Sequence, residues 1–135
     1  MTRARKAVLN VLDAASSPLS AHEVGERLSG CCDKATVYRA LKYLEEQYLA
    51  ESFVLHCDAH GTERYFASRK VQHRHWLHCE RCHGFVDLGA CRFEPLLREM
   101  ADQTGVRITS HTLFATGICP ECASAGAAGM RYPRP

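Results

Sequence analysis

The 135-residue chain carries eight cysteines and eight histidines, a density of soft and borderline donors that points first to metal ligation. Four of the cysteines fall in two knuckles, Cys79-x2-Cys82 and Cys119-x2-Cys122, separated by 36 residues. Each knuckle can turn two thiolates toward one point, and two knuckles complete the closed tetrahedral sphere of a structural zinc ion. Gly84 and Pro120 suit the tight turns this requires. A thioredoxin-like redox pair needs the strand-to-helix turn of a βαβ unit, which neither knuckle occupies. Two separate disulfides are the other alternative. The first residues, Met1-Thr2-Arg3-Ala4-Arg5-Lys6, lack the apolar core and cleavage site of a secretory signal, so the protein is expected in the reducing cytoplasm, against disulfides. With four protein ligands no coordination position stays open, and such a zinc serves folding rather than catalysis.

Five of the eight histidines lie between positions 73 and 111. On a strand, His73 and His75 project from one face while Arg74 and Trp76 face the other way. That geometry suits joint ligation, although spacing alone is better served by two exposed strand histidines. Cys31, Cys32, Cys57 and Cys91 read first as small hydrophobes. His56-Cys57-Asp58-x-His60 is a further group of metal-capable residues, and Cys31-Cys32 is a vicinal pair that could make its surroundings redox-sensitive.

These residues must be positioned by the elements around them. Residues 3 to 15 place Val8, Leu9, Val11 and Leu12 on helical spacing behind a Thr2 N-cap. Ser16-Ser17-Pro18 breaks that helix, and Ser20-Ala21-His22-Glu23 reads as a capping box opening a second one that stops near Gly30. A third helix over 34–48 sets Val37, Leu41 and Leu44 on one stripe, leaving Lys34, Tyr38, Arg39 and Lys42 elsewhere. Strands over 50–56 and 63–67 flank a turn at Asp58-Ala59-His60-Gly61. Three helices followed by a hairpin make a winged helix-turn-helix plan.

Beyond the polar stretch Ser68-Arg69-Lys70, residues 71–78 and 84–88 read as extended. A helix over 93–104 has Pro95 in its first turn and ends at Gly105, and residues 106–116 read as a β-branched strand. The expected fold class is therefore α+β: a winged helix-turn-helix domain (1–68), a small α/β domain with the four-cysteine zinc site (69–122), and a tail rich in Ala, Gly and Pro (123–135). Seventeen Lys and Arg against fifteen Asp and Glu give a net charge of +2, so any nucleic-acid site must be a local patch. No apolar run approaches the roughly 20 residues that span a bilayer.

Ala35-Thr36-Val37-Tyr38-Arg39-Ala40-Leu41, followed by Leu44-Glu45-Glu46 and Leu49-Ala50, resembles the DNA-recognition helix of the ferric uptake regulator family. Residues 73–88 are similar to that family's His-rich strand and first zinc knuckle, and the resemblance spans about residues 3 to 122. It implies that residues 1–68 bind DNA and residues 69–122 dimerise and bind metal, in a homodimeric repressor of metal uptake genes on a pseudo-palindromic operator, with no membrane or small-molecule substrate as partner. It further implies a second metal site at His73, His75, Glu94 and His111. The zinc uptake regulator branch fits the Cys- and His-rich chemistry best; iron-, manganese- or peroxide-responsive relatives are the alternative.

In that resemblance Lys34, Thr36, Tyr38, Arg39 and Lys42 would meet DNA, with Tyr38 and Arg39 toward bases or phosphates. The chain begins about ten residues later than typical relatives, and Arg3, Arg5 and Lys6 would serve as its basic arm. A further family sensing site, drawn from the hinge, the wing and alternate strand positions, meets Arg74, Trp76 and Ser68 here and keeps only Glu51. It is therefore lost, or rebuilt with His56, Cys57, Asp58 or His60. Two rivals are a zinc hydrolase using His73, His75 and His111 around an open water, and a DNA-binding protein that carries zinc without sensing it. The hydrolase lacks a motif-placed catalytic base.

Overall fold

A computed structural model describes residues 1–70 and 72–125, and the chain divides into two compact units, Met1–Gln72 and His73–Pro135. In the first unit, α1 (Arg3–Ala14) starts at Thr2, whose hydroxyl accepts from the Arg5 amide at 3.2 Å. After the short β1 (Leu19–Ser20), α2 (Ala21–Arg27) opens on the expected capping box. The Ser20 hydroxyl accepts from the Glu23 amide, and the Glu23 carboxylate accepts from the Ser20 amide. Gly30, at φ 83°, turns the chain toward α3 (Lys34–Glu46), which Asp33 caps by accepting from the Thr36 amide at 2.7 Å. Hydrogen bonding from the Thr36 hydroxyl, and then from its amide, holds the Asp33 carboxyl below its ordinary pKa. The helix stops two residues short of the expected end because Tyr48 takes a left-handed φ of 59°.

Two eight-residue strands, β2 (Ala50–Cys57) and β3 (Gly61–Ser68), form an antiparallel wing in register from Ala50↔Ser68 to Cys57↔Gly61, and β1 adds to the outer edge of β3. Val8, Leu12, Leu19, Val24, Leu41 and Leu44 are buried between the helices and the sheet. The plan is a winged helix.

The second unit is a three-stranded sheet ordered β5-β4-β6, with β4 (Arg74–Cys79) central. It pairs antiparallel with β5 (Phe85–Ala90) and parallel with β6 (Phe114–Gly117). Between β5 and β6 lies α4 (Glu94–Thr104), with Pro95 in its first turn and Gly105 closing it at φ 75°. A final short helix, α5 (Pro120–Ser124), follows Cys119. The strand expected over 106–116 is only Phe114–Gly117; residues 106–113 have no regular secondary structure. Their β-branched composition finds no neighbouring strand to complete a ladder, and propensity without a pairing partner does not make a strand. Of the tail expected at 123–135, residues 126–135 lie outside the described ones, while Ala123 and Ser124 belong to α5. No helix among the described residues is long and apolar enough to cross a membrane.

Candidate metal centres and reading helix

The end of β4, the turn after it and the start of α5 bring Cys79, Cys82, Cys119 and Cys122 together, their sulfurs all within 4.8 Å of one another. Cys82 Sγ and Cys119 Sγ are 3.8 Å apart, which matches the roughly 3.8 Å edge of a tetrahedron with zinc–sulfur bonds of about 2.3 Å. The turn is tight: His83 adopts φ 64°, its amide donates to the Cys79 carbonyl, and the Cys79 amide donates to Gly84. Cys79 Sγ in turn accepts from the amides of Cys82 and Cys119, at 3.5 and 3.4 Å. Burial opposes charge on Cys79, but the amides of Cys119, Cys82 and Arg81 outweigh it and lower the thiol to about 6. Sharing a hydrogen bond with Cys119 pushes Cys122 up to about 12. Four crowded sulfurs that cannot all carry charge by themselves form a donor set suited to structural zinc.

Farther along the same sheet, His73 Nε2 lies 2.9 Å and His75 Nε2 3.3 Å from His111 Nε2. A β-bulge between Arg74 and Trp76 interrupts the register at His75, yet both histidines still meet His111. Nδ1–H of the buried His75 donates to the Leu113 carbonyl at 2.7 Å. A carbonyl can only accept, so the proton sits on Nδ1 and Nε2 presents its lone pair to the cluster. Arg74 bonds Asp87 and Trp76 is buried.

The third feature is the outer face of α3. Val37, Ala40, Leu41 and Leu44 point inward, whereas Lys34, Tyr38, Arg39 and Lys42 are exposed, Tyr38 at 49%. Arg39 reaches Thr36 Oγ1 at 3.3 Å, and the Arg5 guanidinium stacks 3.7 Å above the Tyr43 ring. Arg3 is exposed in the first turn of α1.

The sequence model of the ferric uptake regulator family matches residues 1–116. The chain belongs to that family. It is 27% identical over 120 residues to the ferric uptake regulation protein of Escherichia coli strain K12, a match covering 84% of this chain and 78% of that one. With the corresponding protein of Yersinia pestis the identity is 28% over 97 residues, 72% of this chain and 60% of the relative's length. Among solved structures, a zinc uptake regulator complexed with zinc and DNA has the same fold, with a TM-score of 0.69 at 21% identity, covering 94% of this chain and 85% of that one. Members of the ferric uptake regulator family are metal-responsive transcription regulators, and this chain is one of them rather than an enzyme.

Against the family pattern, the structure brings together all four knuckle cysteines and His73, His75 and His111. Glu94 is not in the second cluster. It borders, with His111, an open hollow of about 410 Å³ between α4 and the segment after it. Cys91, read from sequence as a small hydrophobe, is in the cluster instead, its sulfur 3.4 Å from His111 Nε2. No spacing rule marks Cys91, because it follows a strand end and reaches the histidines only through the sheet. The remaining hinge-site candidate, Glu51, lies 4.0 Å from Arg69, and Ser68 bonds Asp13. At the wing tip Cys57 Sγ lies 3.5 Å from His60 Nδ1, while His56 bonds Thr62. Cys31 and Cys32 bring their sulfurs to 3.6 Å, and the shared hydrogen bond raises the Cys32 thiol, which lowers its thiolate fraction.

Proposed function

We propose that this family member is a zinc-responsive repressor which binds a pseudo-palindromic operator as a homodimer in the cytoplasm and controls metal uptake genes. The observation that carries the reading is the convergence of His73 and His75 to within 3.3 Å of His111 Nε2, in the same unit as a separately complete four-cysteine set. The two centres divide the work. Cys79, Cys82, Cys119 and Cys122 hold a zinc that maintains the fold. The histidine centre, with a fourth donor from the start of the α4 segment, is the regulatory one. Nitrogen and sulfur donors favour zinc over harder cations. The similar solved protein complexed with zinc and DNA supports the same choice.

On the DNA side, α3 is the reading helix. Tyr38 packs on thymine methyls or meets phosphate, Arg39 meets guanine or phosphate, and Lys34, Thr36 and Lys42 position the helix on the backbone. Arg3 and Arg5 supply the basic arm. Leu88, Phe93, Leu96 and Met100 are exposed large apolar side chains of the second unit, at 38–52%, and supply the homodimer face.

Regulation follows from population shift. Ligands from β4 and from the segments flanking α4 tie the dimerisation unit together, and a stiffer dimer samples fewer separations of its two reading helices. DNA accepts only separations matching half-sites about one helical turn apart. Binding free energies are reciprocal, so the operator tightens metal binding by the same factor.

The test is operator affinity at fixed salt, on a duplex selected from random sequence, with and without zinc. Wild type should tighten by roughly 5–150-fold with zinc, the usual range for coupled sites. His111→Ala should bind DNA with no zinc dependence while keeping its structural zinc. Wild-type affinity that ignores zinc would make the chain a constitutive DNA-binding protein with structural zinc only.

A further inference from the structure

We propose that Cys91, rather than Glu94, is the fourth donor of the histidine centre, making it a three-imidazole, one-thiolate site that selects zinc or cobalt(II) over iron(II) and manganese(II). This rests on reading the His73, His75 and His111 cluster as a metal centre. The donor atoms of His73, His75, Cys91 and His111 all lie within 4.8 Å of one another. A zinc tetrahedron with nitrogen ligands at about 2.0 Å has N···N edges of roughly 3.3 Å and N···S edges near 3.5 Å. The observed separations from His111 Nε2 are 2.9 Å to His73 Nε2, 3.3 Å to His75 Nε2 and 3.4 Å to Cys91 Sγ.

The sulfur is also held in place. The Cys91 amide donates to the His73 carbonyl at 3.1 Å, tying the segment after β5 to the residue before β4. The Phe93 amide donates to Cys91 Sγ at 3.4 Å, the same kind of N–H···S contact that Cys79 receives from Cys82 and Cys119 in the four-cysteine set. Phe93 in turn meets the His75 ring edge-on, with centroids 5.6 Å apart. A sulfur facing ring nitrogens and accepting an amide is not packed as a small hydrophobe. Glu94, three residues on, lines with His111 the hollow beside α4 and is absent from the cluster. A thiolate in place of a carboxylate shifts the site from oxygen-preferring to thiophilic cations.

The experiment adds cobalt(II) to full-length protein whose four-cysteine set is already filled with zinc, and reads thiolate-to-cobalt charge transfer in the near ultraviolet alongside metal content. Wild type should show the charge-transfer band and tetrahedral visible bands. Cys91→Ser should lose the charge transfer and weaken cobalt affinity by at least roughly 10–100-fold, the cost of losing even an outer-shell partner of a metal ligand. Glu94→Gln should retain both signals. Iron(II) and manganese(II) should compete poorly with cobalt in wild type and better in Cys91→Asp. Unchanged charge transfer in Cys91→Ser, or loss of cobalt from Glu94→Gln, overturns the assignment of Cys91 provided His111→Ala no longer takes up cobalt. Should His111→Ala bind cobalt like wild type, the histidine centre itself fails, and the Cys91 assignment with it. Retention of one zinc per chain in each variant confirms that the fold is intact.

Discussion

Between Met1 and Gln72 the buried side chains are chiefly aliphatic, among them Val8, Leu12, Val24, Leu41 and Leu44 at 2% exposure or less. From His73 on, the buried residues among those described are Trp76, Cys79, Cys119, His75 and His78. Helix α4 buries none of its side chains. One unit is held by transfer of apolar surface out of water. The other has a core made largely of groups able to bind metal, and a module that small rarely gathers enough apolar area to fold on that alone. The contrast teaches where the proposed sensitivity to metal would reside: in the sheet that carries both proposed ligand sets, and not in the aliphatic core of the first unit.

The sharpest way to break this comparison is to strip the structural metal. Cys82→Ala with chelation should unfold the second unit, removing a contribution on the order of 10 kcal/mol, while the first remains protected. Amide hydrogen exchange on the whole chain should show β4, β5 and β6 exchanging freely with α1 and α3 unchanged; uniform loss across both units would refute independent cores. The converse variant, Leu41→Ala, opens a cavity at a fully buried position and should cost about 2–5 kcal/mol in urea unfolding of the first unit. Its zinc content should stay at the wild-type value.

Smaller changes sharpen the picture on the DNA side. Arg39→Ala should weaken operator binding by about 1–3 kcal/mol at fixed salt, read by fluorescence anisotropy, without altering zinc content or unfolding midpoint. Wild-type affinity would remove Arg39 from the interface. The smallest expected effect is Ser20→Ala, which removes one half of the capping box and should cost about 1 kcal/mol in the first unit only. A change in metal affinity from that variant would mean the two units are coupled more tightly than their separate cores imply.

Much of this is legible in the sequence. Helix α1, the capping box at Ser20 and Glu23, the stripe of Val37, Leu41 and Leu44, and the hairpin follow from periodicity and capping, which act over a few residues. The two knuckles were equally plain, because a C-x2-C turn places its own thiolates. The end of α3 at Glu46 was not readable, since the left-handed turn at Tyr48 carries no glycine to announce it.

The sequence by itself therefore determined the local elements, the four-cysteine set and the spacing of two histidines for one strand face. Tertiary structure alone decided which residues join those histidines. His111 arrives across the sheet, Cys91 enters where Glu94 was expected, and residues 106–113 forgo the strand their composition favours. The physical reason is range. Capping, periodicity and knuckle turns are settled by neighbours along the chain, whereas a ligand set drawn from separate segments depends on how the sheet aligns them.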